Sequence, residues 1–133
     1  VHQAKFSMGT VLALVAEFGF AGLDEFDQHF RAPRIAALRE RVKMQLDAEI
    51  DQAYPQRWIG KVSVTTRDGR TLSARVDEPK GDPGNTLSRA ELEDKARRLA
   101  AYGHGATPAE MDALIARTWA VAECPRIGRW LPP

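Results

Sequence analysis

Apolar residues crowd the first third of the chain and then change rhythm twice. Ser7 to Phe18 is apolar on nearly every side, with Val11-Leu12-Ala13-Leu14-Val15-Ala16 at its centre. Ser7 suits the cap position of a helix and Gly19 the residue just past its end. Apolarity all round predicts burial on several sides. Leu23, Phe26 and Phe30 then recur on one helical face up to Ala32. Pro33 breaks that run and opens Arg34 to Arg41, with Ile35, Leu38 and Val42 inward.

From Val42 the period shortens to two. Val42, Met44 and Leu46 alternate with Lys43, Gln45 and Asp47, which predicts a half-buried strand. A loop through Tyr54-Pro55 follows. Lys61 to Arg67 and Arg70 to Asp77 alternate around Asp68-Gly69, the signature of a hairpin with a two-residue type I′ turn. Val62, Val64 and Thr66 lie on one face of the first of these strands, and Leu72, Ala74 and Val76 on one face of the second. The expected fold class is α+β: a small antiparallel sheet, made of the first strand plus the hairpin and covered on one face by helices.

Pro79 to Asn85 is a turn-rich loop. Helical rhythm then returns. Ser88-Arg89-Ala90-Glu91 is a capping box for a helix to about Tyr102, with Leu92, Ala96 and Leu99 as its apolar stripe. Glu91–Lys95, Glu93–Arg97 and Asp94–Arg98 are spaced to pair on its wet side. Thr107-Pro108-Ala109-Glu110 starts another helix, with Met111, Leu114, Ile115, Thr118, Trp119 and Ala122 expected inward and Pro125 as its stop. Trp130 and Leu131 lie in the tail.

Composition narrows the function classes. The chain has 133 residues, 44% hydrophobic and 28% charged, with a net charge of +1. Acids balance bases along the whole length, so a nucleic-acid partner is not expected. The longest apolar run is too short to span a bilayer and has no basic leader before it, so no membrane partner is expected. Cys124 is the single cysteine, which leaves no intrachain disulfide and no multi-cysteine metal site; a cytoplasmic setting is the plain expectation. The sequence also opens inside a packed element, without an initiator methionine. That start reads as a piece of a longer protein, with any shared active site incomplete here.

No complete catalytic constellation is present: there is no phosphate-binding glycine loop, no paired-histidine metal motif and no nucleophile elbow. Catalytic residues are therefore unknown, and neither a metal nor a cofactor is expected. The candidate substrate-binding residues are Lys5, Ser7 and Thr10. They sit at the start of the first long helix, where free N–H groups and partial positive charge favour an anion. The bland alternative makes Ser7 only a cap, Lys5 a surface residue and Thr10 a partner of a backbone carbonyl. His104, between two glycines, reads as a helix-ending loop residue ahead of a base or switch. His29 reads as a surface residue, Cys124 as a small half-buried one, and Asp82 and Asn85 as turn caps. Tyr54, Trp58 and Trp130 are candidate plugs against a partner surface.

Several segments together carry a resemblance. They are Ala4-Lys5-Phe6-Ser7 with its apolar helix, Gly22-Leu23-Asp24-Glu25-Phe26, Tyr54-Pro55, the Asp-Gly hairpin, Lys80-Gly81-Asp82-Pro83-Gly84-Asn85, and Leu87-Ser88 leading to Glu91-Leu92-Glu93-Asp94-Lys95. In this order they resemble the C-terminal region of the MmgE/PrpD family, over about His2 to Ala101. That family includes 2-methylcitrate dehydratases, cis-aconitate decarboxylases and iminodisuccinate epimerases. The resemblance implies a lid-type α+β domain over residues 1–102 and a C-terminal helix and tail over residues 103–133. It also implies an N-terminal helical domain of the same protein carrying most of the catalytic residues, a small polycarboxylate substrate, no cofactor and a homo-oligomer. The isolated chain would then be inactive. Met8-Gly9-Thr10 stands where many relatives carry an aromatic hydroxyl, which points to a different substrate or reaction. The competing expectation is a self-contained, non-enzymatic dimerisation or small-anion-binding module.

Overall fold

The computed structural model describes residues 2–125. They divide between Gln45 and Leu46 into two compact units.

The first unit is helical: α1 (His2–Lys5), α2 (Met8–Phe18), α3 (Leu23–His29) and α4 (Pro33–Glu40). α2 begins and ends where its caps predict. The Ser7 hydroxyl accepts the Thr10 N–H at 3.2 Å, and Gly19, at φ +76°, returns its N–H to the Val15 carbonyl. The positive φ is what makes glycine apt there. α3 is held by Glu25, whose carboxylate accepts the Gly22 N–H at 2.8 Å. Pro33 opens α4, which packs on α2, and Arg34 pairs with Glu17 across that contact at 2.7 Å. The core is Ala13, Leu14, Phe26 and Ile35, with Val11, Phe30 and Leu38 packed around it. α2 buries one face: Met8, Val15 and Phe18 stay exposed, so the expected burial on several sides is not reached among the described residues. His29 is half-buried rather than a free surface residue, its ring stacked on Phe18 at 4.6 Å.

The second unit contains α5 (Ala48–Ala53), β1 (Gly60–Thr65), β2 (Thr71–Val76), α6 (Arg89–Gly103) and α7 (Pro108–Trp119). The chain is α+β, and its sheet is antiparallel, as expected. Among the described residues that sheet has two strands. The alternating segment after Val42 does not join it. Met44 and Leu46 are exposed, and Asp47 caps α5, accepting the Glu49 and Ile50 N–H groups at 3.0 and 3.2 Å. Three alternating pairs are a short pattern; a cap that closes two local hydrogen bonds outcompetes an unpaired strand edge.

The hairpin register sets Val62 against Ala74 and Val64 against Leu72. Its turn differs from the expected type I′. Gly69 has φ +84°, while Asp68 has no positive φ. The Gly69 N–H bonds the Thr66 carbonyl at 3.0 Å, and the Thr66 N–H bonds the Arg70 carbonyl at 2.8 Å. This is a three-residue loop, a type I turn closed by a left-handed glycine. Asp68 explains the preference: its carboxylate takes bonds from the Thr66 hydroxyl and from Arg70 Nε, which lock the wider loop.

Among the described residues of this unit no helix covers the apolar side of the hairpin as expected; both strands are exposed along their whole length. An ion network meets the polar side instead. Lys61 bonds Asp47 and Glu49 of the α5 start at 2.8 and 2.7 Å, and Arg75 bonds Glu49 and Asp77 at 2.7 Å each.

α6 and α7 form as their capping boxes predict. Glu91 accepts the Ser88 N–H and Glu110 the Thr107 N–H, both at 2.7 Å. Asp94–Arg98 and Glu93–Arg97 pair as spaced, at 2.8 and 3.6 Å, whereas Glu91 turns back to its cap and to Lys80 at 3.0 Å. Arg97 also reaches Asp112, tying α6 to α7. Met111 and Ile115 are buried, but Trp119 is partly exposed under the Arg89 guanidinium, and α7 ends there, ahead of Pro125. Trp130 and Leu131 lie outside the described residues.

The network makes acid sensitivity predictable. Bonds from Arg75 and then Lys61 lower the Glu49 pKa from 4.5 to about 2. The Ser88 N–H and hydroxyl, then Lys80, lower Glu91 to about 2 as well. Both folded values lie below the unfolded ones. Their stabilisation is therefore complete above about pH 4.5 and is lost as pH falls from there towards 2. Denaturation midpoints measured from pH 6 to 2.5 should be level down to about pH 4.5 and then decline, with α5 and the α6 cap opening first by NMR. A midpoint unchanged to pH 2.5 would contradict these ion pairs.

Candidate functional site

The α2 start sits on an open cleft of about 670 Å³ in the first unit, lined by polar residues together with Ala4 and Phe30, from three elements and their links. Ser7 is half-buried and Thr10 is 1% exposed. Thr10 donates to Ser7 twice, through its backbone N–H at 3.2 Å and its hydroxyl at 3.1 Å. A serine oxygen has two acceptor sites and one proton. With both acceptor sites filled, the Ser7 O–H is left as a donor on the cleft wall. The first turn of α2 adds helix N–H groups and partial positive charge.

Two cationic side chains line the same cleft. Arg39 comes from α4, and Arg31 from the link between α3 and α4, with its guanidinium 5.0 Å from the centre of the Phe30 ring. No acid lines the cleft.

Of the three residues expected at the site, the structure brings Ser7 and Thr10 together there. The Thr10 hydroxyl is directed at Ser7. Lys5 ends α1, is exposed, and does not line the cleft. Sequence reasoning missed Arg31 and Arg39. They lie 24 and 32 positions beyond Ser7, in a chain whose charges nearly cancel, so no local spacing marks them.

The remaining candidates resolve into local roles. His104 is the left-handed cap of α6, at φ +49°. Asn85 closes the proline–glycine loop, its amide bonding the Glu78 carbonyl at 3.0 Å. Tyr54 and Trp58 are exposed and touch edge to face. Cys124 is exposed rather than half-buried. A second groove, about 230 Å³ between α6 and α7, is walled by Leu92, Met111, Ile115 and Trp119; its one acid, Glu93, is held by Arg89 at 2.8 Å. Among the described residues no group of three or more His, Cys, Asp or Glu is placed to hold a metal. No described helix is long and apolar enough to cross a membrane.

The family model for the MmgE/PrpD C-terminal domain matches residues 1–121. The chain belongs to the MmgE/PrpD family. The match covers both units and continues through α7, twenty residues beyond the resemblance read from the motifs. It also places the cleft inside the MmgE/PrpD C-terminal domain. No curated protein and no solved structure matches the chain significantly.

Proposed function

We propose that this chain is the C-terminal lid of a cofactor-free lyase or isomerase acting on a small polycarboxylate. The lid comprises residues 1–102, with residues 103–133 as an appended terminal helix and tail. The observation that carries this reading is the acid-free cleft holding the Ser7 hydroxyl, Arg31 and Arg39. Removing a proton beside a carboxylate moves negative charge onto the carboxylate oxygens. Fixed donors and cations around those oxygens oppose that build-up and lower the barrier. The lid residues hold and neutralise the anion. The base that takes the proton comes from an N-terminal helical domain of the same protein. Loss of water, loss of CO₂ or return of the proton on the other face then completes the reaction. The assembly is a cytoplasmic homo-oligomer.

A second reading, a dimerisation module without enzymatic activity, is favoured by the exposed Met8, Val15 and Phe18 on α2. One experiment separates the two. The complete gene product and this chain alone are assayed with 2-methylcitrate and cis-aconitate, and both are sedimented at several concentrations. The lid reading expects turnover from the complete product, none from the chain alone, and loose self-association of the chain. A defined dimer of the chain, with no turnover from either preparation, would establish the module. Turnover by the chain alone would locate the catalytic base within it.

A further inference from the structure

The hairpin carries a conflict in its register. Lys61 of β1 stands directly opposite Arg75 of β2, one pair in from the open end. Like charges placed directly opposite each other in a strand pair repel. A two-stranded ribbon is also marginal in water unless it buries an apolar face, and every residue of both strands is exposed. The hairpin therefore needs support from outside itself.

Glu49, in the first turn of α5, answers the conflict. Its two oxygens are divided between the strands: Oε2 accepts from Lys61 Nζ and Oε1 from Arg75 Nη2, both at 2.7 Å. One carboxylate thus bridges two facing cations. Asp47 divides its oxygens differently. Oδ1 caps α5 through the Glu49 and Ile50 N–H groups, and Oδ2 holds Lys61 at 2.8 Å. Asp77 takes Arg75 at 2.7 Å and Arg57 at 3.3 Å. Acid and base therefore alternate in the order Asp47, Lys61, Glu49, Arg75, Asp77, Arg57. Without Glu49 this row divides in two, and the halves meet through the like charges of Lys61 and Arg75.

We propose that Glu49 is the keystone of an electrostatic latch, which holds the hairpin on the start of α5 and frees it as a flap when the charge balance of the cluster is lost. The device lies within the second unit and stands independently of the lid reading. A hairpin held by apolar burial would keep its place at any ionic strength. Here the six side chains are 31–53% exposed, so salt reaches every pair of the cluster. The contact between α6 and α7 rests on the buried Met111 and Ile115 and is insulated from this loss.

The test is amide hydrogen exchange of this chain, followed by NMR along β1, β2 and α7. Raising sodium chloride from about 0.1 M to about 1 M shortens the screening length from about 10 Å to about 3 Å. Exchange along β1 and β2 should then quicken about tenfold relative to the Met111–Ile115 stretch of α7. Glu49→Gln should have the same effect at low salt. Asp51→Asn is the control, because it removes an acid from the same turn of α5 and no ion pair joins Asp51 to the hairpin among the described residues. It should leave hairpin exchange within about twofold of the parent. Adding Arg75→Thr to Glu49→Gln removes one of the facing cations and should bring exchange back to within about threefold of the parent. A Glu49 that merely supported α5 would show no such rescue. The proposal is overturned if hairpin exchange ignores salt or Glu49→Gln, if Asp51→Asn is equally disruptive, or if the double variant exchanges as fast as Glu49→Gln alone. Should Glu49→Gln unfold α5 outright, the salt series on the parent chain still decides.

Discussion

Leu14→Ala should abolish the independent stability of the α1–α4 unit. Leu14 is 0% exposed, the most deeply buried member of a cluster shared with Ala13, Phe26 and Ile35. Truncating a leucine to alanine in such a site costs about 2–5 kcal/mol, the upper end applying where the surroundings do not collapse into the void. A unit of 45 residues has about 2–7 kcal/mol to lose, at ordinary stability per residue. The cost and the reserve are therefore of the same size. Urea denaturation followed by NMR signals from α2 and α6 separately would show the first unit melting at far lower denaturant, with the Met111–Ile115 region little changed. A loss below about 1 kcal/mol would mean that the cluster collapses onto the cavity or that stability resides elsewhere. The same substitution should weaken binding of a polycarboxylate such as citrate at the cleft, because α2 follows the Ser7 cap and packs on α4, which carries Arg39.

Ser7→Asp should separate the two roles of Ser7. Aspartate caps helices about as well as serine, and its charge near a helix start adds about 0.3–1 kcal/mol. The Thr10 N–H and hydroxyl keep an acceptor, so the fold should be retained or slightly strengthened. The site should fail. The new side chain accepts hydrogen bonds but donates none, it repels a carboxylate, and it gives the cleft arginines an internal partner. Losing a hydrogen bond to a charged ligand costs about 1.5–3 kcal/mol, so citrate should bind about 10- to 100-fold more weakly. Thermal melting and citrate titration on one preparation decide the matter. A variant that melts like the parent and binds citrate equally well would confine Ser7 to capping. Ser7→Ala is less informative, since it removes the cap and the donor together.

The readable parts of this chain share one property: their hydrogen bonds close within a few residues. Ser7, Gly19, Ser88 and Thr107 bond groups three or four positions away, and each helix end appears where those residues stand. In the hairpin, alternation showed which residues of each strand share a face, but the register was not readable: a two-residue turn would pair Thr66 with Thr71, whereas the observed loop pairs Thr65 with Thr71 and sets Val64 opposite Leu72. Nor was the turn type. Asp-Gly serves both a two-residue and a three-residue loop, and the choice fell to bonds from the Asp68 side chain to Thr66 and Arg70. The predicted strand after Val42 failed at the same point. Alternation records which residues would share a face, without recording whether a neighbouring strand is in reach.

The site divides in the same way. Ser7 and Thr10 were legible because they belong to one helix turn. Arg31 and Arg39 were not, because Arg39 reaches the cleft through the packing of α4 on α2, and Arg31 from the link before α4.

The sequence by itself determined the capped starts of α2, α6 and α7, the end of α2, the faces of the hairpin strands, the α+β class and the family. Each of these depends on local bonds, on periodicity or on motif order. Only the tertiary structure decided which apolar residues are covered. It buried Leu14 and Ile35, and left Val64 and Leu72 bare on a hairpin with the same apolar–polar pattern as a buried one. It alone set two arginines against the start of α2. Packing joins residues that are distant in the chain, and the free energy of each such contact depends on what lies opposite, which no single stretch of sequence records.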